Sequence, residues 1–204
     1  MSKDEPFFEA VFGEDWASMP PVFHAHYANR KGRNDVVRVT GLMDIRQSGL
    51  MRLAAPLFRL TKTLVPVDQV GIDTDVIFRT RSDSEGFWYH RRFRLSADST
   101  YEFVSRLEHV GGDRVTEWTR SGIGWLSTFT FDGTRVRLTH LGYRFKLGKL
   151  TMRLPMTWLF GVPSAWEEPI NDHRFRMEMR IQHWLFGCLY SYSGEFTVSE
   201  VTLD

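Results

Sequence analysis

Five residues of this chain could share one polar site: His90 and Arg92 on an aromatic-rich strand, Glu117 in a nearby hairpin, and His183 and Tyr192 toward the C-terminus. An Arg–Glu pair among aromatics can orient a ligand carboxylate, and a carboxyl or imidazole held there can act as general acid or base. In a catalytic reading that role falls to Glu117 or His183. The same groups could simply satisfy one another in a large core. No nucleophile elbow, Gly-rich phosphate loop or metal-ligand set accompanies them, so binding stands ahead of catalysis and no cofactor is expected. His24 and His26 form a His-x-His pair. On a helix they diverge by roughly 200°, and no Cys or carboxylate lies at ligand spacing, so no metal is expected either. Cys188 follows Gly187 in a strand and reads as a small buried hydrophobe.

The strand Gly86 to Leu95 holds the densest mix of aromatic and basic residues. By alternation Phe87, Tyr89, Phe93 and Leu95 share one face with Arg91, while Trp88, His90, Arg92 and Arg94 share the other. Such a strand could stack bases and grip phosphates. The interleaved Glu102, Glu108 and Glu117 favour cross-strand pairing instead. The apolar members suit a pocket wall made of Phe87, Tyr89, Phe93, Phe129, Phe175, Met177 and Met179, with Arg92 holding a polar head group.

Positioning these residues requires a sheet. From Asp35 to Val201 the chain reads as antiparallel strands interrupted by one apolar helix, Gly49 to Leu64. Val36 to Ile45 is the first strand, with Gly41 marking a bulge or close approach. Val70 to Arg81 pairs with Gly86 to Leu95, and Tyr101 to Val110 with Arg114 to Arg120. Trp125 to Phe131 meets Thr134 to Phe145 across Asp132-Gly133, the strongest hairpin signal. The stretch after Lys146, as far as Pro155, reads as a strand or an irregular edge, and Met156 to Asn171, with Pro163 and Pro169, as a packed loop. His173 to His183 alternates cleanly, and Gly187 to Val198 pairs back on it.

The helix is expected to kink or break at Pro56. Arg52, Arg59 and Lys62 form a basic stripe, and Leu50, Leu53, Leu57 and Leu60 an apolar face that either packs as core or lids the pocket mouth. Short N-terminal helices place Met19, Val22, Phe23, His26 and Tyr27 on the sheet, with Pro20 and Pro21 near the first turn. The fold class is therefore α+β: a strongly curved antiparallel sheet of eight to ten strands. It closes as an open or closed barrel, lipocalin-like or helix-grip-like, with a two-sheet sandwich as the rival architecture.

Composition agrees with a packed domain. Hydrophobic residues make up 42% of the 204 residues and aromatics 14%, too apolar for disorder. The chain is read as one domain, residues 1–204. Twenty-six Lys and Arg against 25 Asp and Glu leave a net charge of +1, which offers no general field for nucleic acid. The N-terminus shows no signal-peptide pattern, and the longest apolar segment carries three cations and a proline. A cytoplasmic protein without a transmembrane segment is expected.

Several short motifs resemble a bacterial domain family of unknown function, the one catalogued as 4166. They are Met19-Pro20-Pro21-Val22-Phe23-His24, Phe87-Trp88-Tyr89-His90-Arg91-Arg92-Phe93, and the closing His173-Arg174-Phe175, His183-Trp184-Leu185-Phe186-Gly187 and Tyr190-Ser191-Tyr192-Ser193-Gly194. The family pattern has Leu at Met19, Trp-x-Arg-x-Phe at the strand and Pro at Trp184, so this chain departs at each. The resemblance implies a role beside small-molecule metabolism, because members often follow a saccharopine-dehydrogenase-like domain; it transfers no catalytic residue. The expected function is binding of a hydrophobic or amphipathic small molecule, lipid- or fatty-acid-like, in a sheet-lined cavity. An enzyme using that cavity is the alternative, as is an accessory module docking to a dehydrogenase-like partner through Trp158 and Trp166, or a homodimer.

Overall fold

The computed structural model describes residues 5–148 and 150–204. The N-terminal segment forms α1 (Glu9–Phe12), a 3-10 segment (Gly13–Ser18) and α2 (Pro21–His26), which Pro21 opens where a missing N–H is harmless. Strand β1 (Val36–Gln47) leads into two short helices, α3 (Gly49–Leu53) and α4 (Ala55–Thr61). Then follow β2 (Gln69–Arg81), β3 (Ser84–Ser96), β4 (Ser99–Gly111), β5 (Arg114–Thr119) and β6 (Ile123–Phe131). The chain ends with β7 (Val136–Leu147), β8 (Leu150–Leu154), α5 (Thr157–Phe160), β9 (Val162–Pro169), β10 (Arg174–His183) and β11 (Gly187–Thr202).

Ten of the strands close into one antiparallel barrel, in the order β6-β5-β4-β3-β2-β1-β11-β10-β9-β7 with β7 returning to β6. β8 hangs on β7 alone. Closure removes sheet edges, and a single ring replaces the two-sheet sandwich. The loop expected at Met156–Asn171 is instead α5 and β9. Its prolines fit because β7 pairs only with Ser164 to Glu167, so Pro163 and Pro169 lie beyond that ladder.

The apolar helix is two helices. Ser48 caps α3 by accepting the Met51 N–H, the chain kinks at Ala54, and Pro56 sits in the first turn of α4. A proline there cannot donate to the preceding turn, which separates the helices at Ala54, two residues before Pro56 itself. Lys62, at φ 51, ends α4.

Each end of the barrel is filled differently. At one end the N-terminal helices drive an aromatic plug inward: Phe8 packs on Tyr27, Phe129 and Phe87 at ring-centroid distances of 4.5, 5.4 and 5.5 Å. At the other, the segment after α4 is pinned under the lid. The Tyr101 hydroxyl donates to the carbonyls of Phe58 and Leu64, while Tyr190 and Gln47 donate to that of Val65. Between the two ends β1 and β11 pair with the Phe196 ring lying close over Gly41. A Cβ on Gly41 would stand 2.1 Å from the Glu195 carbonyl oxygen, so the close approach read at Gly41 is real.

Truncating Phe8 to Ala should cost about 3–5 kcal/mol in urea unfolding, because the plug cannot collapse onto the hole. Leu53→Asp, by contrast, should change stability by no more than about 0.5 kcal/mol, since that side chain faces solvent.

Candidate functional site

Two clusters of ionisable side chains stand in the barrel interior, within a lining that is mostly apolar. On β3 the alternation places Phe87, Tyr89, Arg91 and Phe93 inward and His90, Arg92 and Arg94 outward. The interior arginine is therefore Arg91. Its Nη1 donates to Glu117 Oε1 on β5 at 2.9 Å and to Ser105 Oγ on β4 at 3.0 Å, and Ser105 Oγ donates to the same carboxylate oxygen at 2.6 Å. The guanidinium lies over the Tyr89 and Phe103 rings at 4.7 and 4.9 Å. Burial is the largest influence and works against its charge, but Glu117 together with Tyr192 and Tyr89 holds the Arg91 pKa above its usual value.

The second group stands at the plug end. Tyr27 donates to Glu167 Oε2 at 2.5 Å, and His26 Nε2 lies 3.7 Å from the same oxygen. Burial pushes the Glu167 carboxyl up to about 7, although the Tyr27 hydrogen bond pulls the other way. Burial also lowers the His26 imidazole to about 3, so His26 is neutral and the contact is not an ion pair. Its Nδ1 is buried without a hydrogen-bond partner among the described residues, a polar atom whose desolvation none of them offsets.

Both groups line one cavity of about 90 Å³, walled by Met43, Val76, Phe93, Phe175, Met177 and Tyr192 among others. A second cavity of about 80 Å³ lies behind Glu117, Trp125, Met179 and Tyr192, with Phe129, Tyr143 and Ile181 on its far wall. Burial raises the Tyr192 phenol to about 12, so it faces both cavities as a neutral hydroxyl.

Of the residues expected at the site, Tyr89, Phe93, Glu117, Phe175, Met177 and Met179 line the first cavity, and Phe129 the second. Phe87 is buried against the plug instead, 5.1 Å from Phe7. Arg92 is on the outer surface, bonded to Glu102 at 3.0 Å, and cannot hold a ligand inside. Choosing it over Arg91 moves the group by one residue and hence through the wall. His90 is likewise exposed. His183 serves the β10–β11 turn: Nε2 donates to the Trp158 carbonyl at 2.7 Å, and Nδ1 accepts the N–H groups of Leu185 and Phe186. Leu53 and Leu57 point outward, and the lid contributes Thr63, Leu64 and Val65. Cys188, expected buried, is exposed.

Sequence reasoning missed Ser105, Tyr27, His26 as a cavity residue, and Glu167. A period-two reading of Val162 to Pro169 would have put Ala165 and Glu167 on one face; the prolines hid it. Outside the barrel, Arg94 bonds Asp73 and Arg38 bonds Asp75 on neighbouring strands, as expected of cross-strand pairs.

A ten-strand closed barrel with polar groups around an interior cavity is a fold able to enclose a small molecule. The model of a domain of unknown function, DUF4166, matches residues 19–196, and the chain belongs to that family. No curated protein matches the sequence. Among solved structures the chain is similar to Rv2717c from M. tuberculosis, at 9% identity and a TM-score of 0.43, covering 93% of this chain and 99% of that one. The dehydratase domain of the polyketide PpsC from Mycobacterium tuberculosis is similar at 9% identity and a TM-score of 0.20, covering 94% and 84%. At these scores neither likeness bears on function.

Two predictions come from the interior groups. Arg91→Met or Glu117→Leu alone should cost about 3–5 kcal/mol by stranding the other charge, and the double variant should recover most of it in chemical denaturation. For Glu167 the folded pKa lies above its ordinary value, so the folded state binds the extra proton. Its contribution is fullest below about pH 4.5 and is lost as pH rises toward 7. Relative to Glu167→Gln, the wild type should lose about 3 kcal/mol across that window. His26, with a depressed pKa, acts oppositely, its stability being lost as pH falls from about 6.5 toward 3. Urea titrations of both proteins at several pH values measure the difference; parallel curves would refute the protonated Glu167.

Proposed function

We propose that the barrel binds a hydrophobic or amphipathic small molecule in the cavity between Arg91–Glu117 and Glu167. The observation that carries this reading is an unfilled interior space whose wall combines aromatic and methionine side chains with a few convergent polar groups. An engineered apolar cavity of about 150 Å³ takes benzene, so a space of about 90 Å³ suits a ligand no larger than a single ring. A long-chain lipid would need the α3–α4 lid displaced or Trp125 and Met179 swung aside to join the two cavities.

Interior charge narrows the ligand further. Arg91 is already neutralised by Glu117, and Glu167 has no compensating cation among the described residues, which therefore offer no free positive charge to a carboxylate in the cavity. An uncharged polar group suits it better, meeting the Tyr192 hydroxyl or the unpartnered His26 Nδ1. This replaces the fatty-acid head group expected at Arg92.

A proton-transfer reaction is the second reading. A carboxyl poised at about 7 beside a cavity is what a general acid–base needs, and Glu167 would hold that role rather than Glu117 or His183.

Calorimetric titration with phenol, benzyl alcohol and benzoate tests the first reading. The neutral probes should bind and benzoate should not, and Val76→Phe, which fills the cavity, should abolish binding while the protein stays folded. Binding undiminished in Val76→Phe would place the ligand elsewhere.

A further inference from the structure

The mouth of the barrel, where the lid sits, presents large apolar side chains to solvent from three segments. Two of them repeat one tetrapeptide, Trp158-Leu159-Phe160-Gly161 and Trp184-Leu185-Phe186-Gly187. They are neighbours, because His183 donates to the Trp158 carbonyl, and in each the glycine, at φ 79 and 67, turns the chain into the next strand. The third segment is the lid, tied to the start of β11 by the Ser48 N–H donating to the Leu189 carbonyl at 2.8 Å. Leu53 is 82% exposed, Leu60 81%, Trp184 79% and Trp158 66%. None of these helps to close the barrel. Soluble surfaces seldom gather so much apolar area in one place without using it.

Charge is distributed to match. The stretches that carry these side chains, residues 45–67, 133–166 and 179–194, contain no Asp or Glu at all, although acids and bases nearly balance over the whole chain. The lid bears Arg52, Arg59 and Lys62 among its leucines. Arg59 and Arg153 make no ion pair among the described residues, and Lys62 lies over the Tyr101 ring at 4.1 Å. Of the nearby carboxylates, Asp68 already faces Arg46 and Arg52.

From this we infer that the mouth docks on an anionic lipid bilayer, with the Trp-Leu-Phe tips and the lid leucines in the interfacial layer and the lid cations against the lipid head groups. Tryptophan and leucine tips flanked by Arg and Lys are suited to that layer, and an anionic leaflet adds attraction for each cation. The contact is peripheral: no helix among the described residues is long and apolar enough to cross a membrane. A second copy of the chain fits this face less well, because a two-fold contact would set one lid's Arg52, Arg59 and Lys62 against the other's. The inference stands independently of any ligand inside the barrel.

Sedimentation with vesicles of phosphatidylcholine mixed with phosphatidylglycerol, and with phosphatidylcholine alone, tests it on the full chain. The wild type should partition onto the mixed vesicles and much less onto the neutral ones, and added salt should weaken the binding. Replacing Trp184 and Leu185 by Ser should lower partitioning by about tenfold or more. Arg52→Glu with Arg59→Glu should remove the preference for anionic lipid. All four side chains are solvent-exposed, so thermal melts should match the wild type. Failure of the wild type to sediment with mixed vesicles would overturn the inference, as would equal partitioning of the folded variants. A wild-type dimer that ignores vesicles and dissociates on the Trp184 and Leu185 changes would overturn it too, assigning the face to a second copy.

Discussion

A ring of ten strands encloses more volume than its own inward side chains can fill, and the rest of the structure answers that excess. Eight strands leave an interior just wide enough for side chains; two more must be compensated by something that is not sheet. Here the compensation comes from both ends. The N-terminal helices insert Phe7, Phe8, Val22 and Phe23, each fully buried, and the α3–α4 lid inserts Met51 and Phe58. What neither end reaches is left as the two cavities on either side of Glu117 and Tyr192.

An interior built this way cannot tolerate a lone charge, which accounts for the state of each ionisable group inside it. Arg91 and Glu117 neutralise each other and share Ser105. Glu167, with no cation in reach among the described residues, is held toward its protonated form by burial and accepts the Tyr27 phenol, and His26 is held neutral. The interior is thus close to electrically neutral, and its polarity is expressed as hydrogen-bonding capacity rather than as field.

The two ends differ in how firmly they are built. The plug is an aromatic cluster knit to Phe78, Phe87, Phe129 and Phe175 of the barrel wall. The lid is two helices of five and seven residues, too short to be stable alone and anchored through backbone carbonyls to Tyr101, Tyr190 and Gln47. If the interior exchanges anything with the outside, the lid is the end that can open.

Local chemistry determined much of this from the sequence alone. The Asp132-Gly133 hairpin, the alternation of β10 and the close approach at Gly41 all follow from turn residues and period-two patterning. Even the grouping of Arg91 with Phe87, Tyr89 and Phe93 on one face was legible on β3. What the tertiary structure decided was every relation between segments far apart in the chain. A period-two pattern fixes which residues share a face, but not which face turns inward or which residue lies opposite, so the Arg91–Glu117 partnership awaited the register of three strands. The lid shows the same division: its leucines mark an amphipathic helix, yet only docking onto a barrel already filled from the other end turns Leu53 and Leu57 to solvent and Phe58 inward. Glu167 became an interior residue only because closing the ring required a strand between β7 and β10, and ring closure is a constraint that no single segment carries.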